Sequence, residues 1–152
     1  MWSRILGTKN DIALTISRVV LGVVVFAHGA QKMLGWFGGR GFSGTISFYG
    51  HLGFSAPVST LAMAVEFFGG LALILGFLGR IAALGVLCRM IYAVVTLYWQ
   101  FGFFMNWTGE SRAEGYEYHL LAIALGLAIL IHGSGALSVD WLYAKRQSSG
   151  PR

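Results

Sequence analysis

Four long apolar stretches dominate this chain, and each is interrupted by one or two ionisable residues, among them Arg18, Glu66 and Arg89. A charge near the centre of a bilayer costs several kcal/mol unless it is paired or faces a cavity. That combination restricts the chain to apolar helices packed around a polar interior. Only 11% of the 152 residues are charged, against roughly 25% in soluble domains, so too little polar surface exists to face water all round. The expected fold is all-α: one integral membrane domain over residues 1–152. The net charge of +5 would suit nucleic acid, but the basic residues are scattered singly and form no stripe. The partner they point to is the lipid bilayer, and no nucleic acid is expected.

The apolar runs predict four transmembrane helices, at about residues 12–30, 58–78, 81–104 and 116–133. Each is near the ~20 residues needed to cross ~30 Å of hydrocarbon. The first run could pass for a secretory signal, since Arg4 and Lys9 precede it. It is long for a signal core, carries Arg18 inside and would leave an odd number of spans if removed, so it is read as a helix. Only Gly79 and Arg80 separate the second and third runs, which makes those helices antiparallel neighbours.

Lys/Arg asymmetry sets orientation. Arg4, Lys9, Arg80, Lys145, Arg146 and Arg152 lie on the side of the termini, against Lys32, Arg40 and Arg112 opposite, with Glu110 and Glu114 beside them. Both termini are therefore expected in the cytoplasm, in a plasma (inner) membrane of bacterial type. In the first outer loop Phe42, Ile46, Tyr49 and Gly53 recur at helical spacing, so Ser43 to Leu52 is expected to form a short interfacial helix.

Two motifs mislead. Gly39 to Gly44 satisfies G-x-G-x-x-G literally, but a dinucleotide site needs a strand before it and a βαβ frame around it. Cys88 is the only cysteine, which excludes an intrachain disulfide; it is read as a packing residue. No metal site is expected.

Depth arithmetic gives the charges a geometry. At 1.5 Å per residue, Glu66 lies about 12 Å from the outer edge of its helix and Arg89 about 12 Å from the inner edge of the next. In a core of ~30 Å they meet at similar depth, which predicts a Glu66–Arg89 ion pair. Arg18 sits close enough in depth to join them, giving an intramembrane cluster of Arg18, Glu66 and Arg89. Two readings stand open: a buried pair that sets helix packing, or a surplus positive charge that binds an anionic or polar group.

A second polar cluster gathers at the outer end. His28, Gln31 and Lys32 share one helical face by their i, i+3, i+4 spacing. Glu117 and His119 open the fourth span at the same level, with Asn106 and Trp107 nearby. His28, Lys32, Glu117 and His119 are the candidate catalytic residues, and Gln31, Phe37, Asn106, Trp107 and Tyr118 the candidate ligand contacts.

The string HGAQKMLGWFGGRGFSGT, the mid-helix glutamate in VEFFGGLALILG, the following Arg80, then GFFMNW, EYHLLAIALGLAIL and a terminal GxGxLSxD resemble the DoxX family of small four-helix membrane proteins. The resemblance covers roughly residues 10–143 and carries over His28, Gln31, Lys32, Gly38, Gly39, Gly41, Glu66, Arg80, Glu117 and Asp140. It implies a membrane partner of redox systems, among which are a thiosulfate:quinone oxidoreductase and a membrane-associated complex of thiol homeostasis.

The expected function is a quinone-interacting membrane subunit of an oxidoreductase system linked to thiol or sulfur redox, or to protection from oxidative stress. Quinone reduction takes up two protons, so its site needs hydrogen-bond donors and a titratable relay within reach of lipid; Phe37, Trp107 and Tyr118 would pack on the ring. Without a cofactor-attachment motif, a redox partner protein would supply electrons; a homo-oligomer is left open. Haem is the lesser alternative, with His28 and His119 as axial ligands. A reading from another class is a non-catalytic scaffold or small ion or metabolite transporter.

Overall fold

The computed structural model describes residues 6–109 and 114–148. Arg4, Glu110, Arg112 and Arg152, used above to orient the chain, lie outside the described residues. Every regular element among those described is helical: α1 (Ile12–Leu34), α2 (Gly41–His51), α3 (Ala56–Leu75), α4 (Gly79–Phe101), α5 (Glu117–His132) and α6 (Val139–Ser148). Three of them, α1, α3 and α4, are long and apolar enough to cross a membrane. Helix α5 is equally apolar but has 16 residues, about 24 Å at 1.5 Å per residue.

Helix starts and stops follow local chemistry. Asp11 caps α1 by accepting from the amides of Ala13 (2.8 Å) and Leu14 (3.2 Å), satisfying donors that a first turn otherwise leaves unpaired. Gly35, at φ 74°, closes it in the left-handed conformation that glycine adopts without steric cost. Helix α1 runs four residues beyond the predicted Ala30, so His28, Gln31 and Lys32 all lie on one unbroken helix. The loop helix starts at Gly41, two residues before the predicted Ser43.

Helix α1 packs on α3 and α5, and α4 packs on α3 and α5. Leu21, Val25, Leu73, Ala83, Val86, Met90, Ala122 and Ile129 fill the centre, while residues such as Val20, Leu61, Leu84 and Leu121 face outward. The α1–α3 seam is built on small residues. A Cβ at Gly22 would fall on the backbone of Ile74, one at Gly70 on Phe26, and one at Gly29 on Phe67. Partners step in opposite directions along the two helices, so the glycines set both a close antiparallel approach and a single register. Lys32 is thereby brought near Glu66 at one end, and Arg18 near the end of α3 at the other.

Arg18 departs from its expected place. It is fully buried and takes no part in the Glu66–Arg89 pair. Its guanidinium donates to the carbonyls of Leu73, Ile74 (2.8 Å), Ser134 (2.7 Å) and Leu137 (3.3 Å). Leu73 and Ile74 are in the last turn of α3, where the Leu73 carbonyl otherwise accepts only from the closing Gly76 amide at 3.1 Å and the negative end of the helix dipole lies. Asp140 mirrors this arrangement across the tight turn. It accepts from the amides of Leu78 and Gly79, each at 2.9 Å, and from Ser134 Oγ at 2.6 Å, capping the positive start of α4. Arg80 treats α5 as Arg18 treats α3, donating to the carbonyls of Leu130 and Ile131 and to Gly7. Arg18, Arg80 and Asp140 are thus each bound to a helix terminus.

Candidate functional site

The opposite end is built differently. Both helices that frame it contain a π-helical turn, Val65–Gly69 in α3 and Val94–Tyr98 in α4, a distortion found frequently at functional sites. Glu66 lies in the first of these turns and is 2% exposed. Its Oε1 receives Arg89 Nη2 at 3.0 Å, and its Oε2 receives the Lys32 ammonium. Two cations thus share one buried carboxylate, which leaves the trio with one surplus positive charge. Arg89 also donates to Tyr49 Oη, at 3.4 Å.

Around this trio lies a partly enclosed chamber of about 730 Å³, counting its mouth, within the size range of ligand sites. His28, Tyr98, Glu114, Tyr118 and His119 complete its polar wall, with Val25, Met90 and Met105 as apolar lining. The Tyr118 ring packs against both imidazoles, at 5.8 Å from His28 and 5.3 Å from His119. Tyr98 lies over His119 at 4.3 Å. The chamber therefore merges the mid-depth ion pair and the outer histidine cluster, which the sequence presents as separate features.

Three polar atoms lining the chamber are buried without a partner: Arg89 Nε, Tyr118 Oη and His119 Nδ1. Buried polar groups are satisfied in the great majority of cases. Here all three unsatisfied atoms belong to residues that line the chamber.

Other expected residues fall elsewhere. Glu117 Oε2 accepts from the amide of Met105 at 3.2 Å and is not part of the chamber lining. Glu114 takes its place there, accepting from the amide of Asn106 at 2.8 Å. Phe37 and Trp107 point outward, 70% and 83% exposed, and neither lines the chamber. Gln31 donates to the carbonyl of Phe37 at 3.5 Å and lines a separate hollow with Arg40, Thr45 and Phe48. Lys32 borders both spaces.

Sequence reasoning missed Tyr98, Tyr49 and the role of Glu114. On an ideal helix Tyr98 falls opposite Arg89; the π turn advances less than 100° per residue and winds it back. Nothing in the spacing signals that turn.

Comparison with known proteins agrees with this architecture. The DoxX family model matches residues 13–99. The chain belongs to the DoxX family. That match covers α1 through most of α4, and so Lys32, Glu66, Arg89 and Tyr98. The chain is similar to the protein named "Putative oxidoreductase CatD" of Bacillus subtilis (strain 168), 29% identical over 92% of this chain and 93% of that one. It is also similar to "Inner membrane protein YqjF" of Escherichia coli (strain K12), 27% identical over 90% of this chain and 96% of that one. No solved structure is a significant match. A DoxX membrane protein built of apolar helices is what sequence, fold and relatives support together.

Proposed function

We propose that this chain is the quinone-interacting membrane subunit of an oxidoreductase system linked to thiol or sulfur redox, with a partner polypeptide supplying the electrons. The observation that carries the reading is that three residues of one chamber, Arg89, Tyr118 and His119, each hold a buried polar atom without a partner, beside the apolar Val25, Met90 and Met105. A flat ring bearing two carbonyl oxygens fits that donor set: the hydroxyl and guanidinium donate, and the imidazole donates or accepts by tautomer. Bound quinone would supply two-electron, two-proton carrier chemistry. The chain's own part is to orient the ring by hydrogen bonds, to stabilise negative charge at a carbonyl oxygen with the surplus charge of Lys32 and Arg89, and to hold protons on His28, Tyr118 and His119.

Removing an unsatisfied buried hydroxyl is nearly neutral for folding, because no internal bond is lost. Tyr118→Phe should therefore melt within a few degrees of the parent protein. Binding of a tailless quinone to the purified protein in nanodiscs should nonetheless weaken about tenfold, one hydrogen bond being about 1.4 kcal/mol, and His119→Phe should act likewise. If both variants bind as the parent does, or the parent binds no quinone, the scaffold or transporter reading replaces this one.

The membrane topology belongs to the same reading: α5 crosses with the other three helices, α2 lies at the interface and both termini are cytoplasmic. A reporter fused after Arg152 should be active only when it requires the cytoplasm. Activity of a periplasm-dependent reporter at that position would invert the bundle and put the chamber mouth on the wrong side.

A further inference from the structure

Arg89 borders more than the chamber. It also lines an apolar groove of about 700 Å³ on the outer face of the bundle, between α3 and α4, with Leu61, Ala62, Val65, Gly85 and Cys88. A smaller crevice continues from it past Phe54, Ser59 and Leu97, again with Arg89 in its wall. One side chain therefore stands between a polar space inside the bundle and an apolar one open to its lipid-facing surface.

Two features give the groove an occupant. Gly85 sits mid-helix, where glycine costs about 1 kcal/mol relative to alanine. A Cβ there would meet nothing nearer than Val65 at 3.5 Å. Unlike Gly29 or Gly70, it is not required by close backbone packing; its missing side chain keeps the groove wide. Its wall, moreover, includes Arg89, whose buried Nε is unpartnered. A phospholipid acyl chain lying in the groove would leave that atom unsatisfied, with its own headgroup at the membrane surface. A molecule with a polar ring and an apolar tail, joined at Arg89, satisfies both sides.

We propose that the α3–α4 groove holds the apolar tail of the ligand whose ring occupies the chamber. Resting on the chamber reading above, this makes the ligand a long-tailed, membrane-borne quinone whose ring and tail lie on either side of Arg89. Arg89 is suited to that place: its ties are one carboxylate and one long hydrogen bond to Tyr49.

The test compares two quinones with the same ring, one carrying a long isoprenoid tail and the other only a methyl group, titrated into the purified full-length protein in nanodiscs. Gly85→Leu fills the groove from α4, and Ala62→Leu fills it from α3. Each should weaken binding of the tailed quinone at least tenfold and leave the tailless one within twofold, which also reports that the variant is folded. Unchanged binding of the tailed quinone in both variants overturns the groove while leaving the chamber intact, as does equal weakening of both ligands. A parent protein that binds neither quinone overturns the chamber reading and the groove with it.

Discussion

Arg18→Met should destabilise the protein by about 3–5 kcal/mol, seen as a large drop in melting temperature and in yield from membranes, because it removes a fully buried side chain that joins three chain segments at that end. Its guanidinium serves four carbonyls, of Leu73, Ile74, Ser134 and Leu137. A buried polar group left unsatisfied costs about 1–3 kcal/mol. The last turn of α3 would keep its Gly76 backbone cap but lose its side-chain donor, and buried Asp140 would lose the nearby positive charge that offsets it. Arg18→Lys should recover less than half. An ammonium keeps the charge but not the planar fork of five donors, and it cannot span acceptors on two separate segments. If Arg18→Met melts within a few degrees of the parent, the carbonyls find other partners and the clamp is dispensable. Quinone binding by whatever folded protein survives should be unchanged, since Arg18 and the chamber stand at opposite ends of the bundle.

That separation marks what the sequence could and could not reveal. Apolar length and a short break were enough for the antiparallel pairing of α3 and α4, but the break expected at Gly79-Arg80 falls at residues 76–78, and Gly79 and Arg80 already open α4. Depth counting was enough for Glu66 and Arg89, which stand 3.0 Å apart, because one tight turn ties their helices to a common level. The same counting failed wherever helix ends were assumed level. Helix α3 starts ten residues before Glu66, about 15 Å along its axis, whereas α1 ends only five residues past Gly29, about 7.5 Å. Gly29 lies against Glu66 and Phe67, so α3 projects beyond α1 and Lys32 comes within reach of Glu66. By the same offset Arg18 falls at the C-terminus of α3 and not beside the carboxylate.

Asp140 shows a second limit. Nothing in its local sequence distinguishes an aspartate that caps the start of α4, more than sixty residues earlier in the chain, from one at the start of its own helix α6. Long-range capping depends on how the last loop folds back, and that loop is held by Thr15, which donates to the carbonyl of Ala136 at 2.6 Å. Glu117 and Glu114 exchange roles for a comparable reason. Both lie near the start of α5, and only the path of residues 102–106 decides which carboxylate pairs with backbone and which also faces the chamber.

Glu66→Gln should cost several kcal/mol and abolish ligand binding together, because Lys32 and Arg89 would then face a neutral amide at close range in a site largely closed to water. Structure changes what rescue should look like. Lys32 is the more exposed partner, its side chain 24% accessible against 10% for Arg89, and it borders the hollow that also contains Gln31 and Arg40. Freed of Glu66, its long stem can turn outward and carry the charge into that wetter space. Arg89 has no such route, since the other space it borders is an apolar groove. Pairing Glu66→Met with Arg89→Met should therefore recover more than half of the lost stability, and adding Lys32→Met should contribute less than about 1 kcal/mol further, as expected for a partly solvated charge. Thermal melts of the single, double and triple variants in one lipid composition decide it. A double variant as unstable as Glu66→Gln would mean that the cost lies in the distorted turn of α3 and not in the stranded guanidinium. A triple variant far more stable than the double would mean that Lys32 is as trapped as Arg89, and the chamber more tightly closed than its geometry implies.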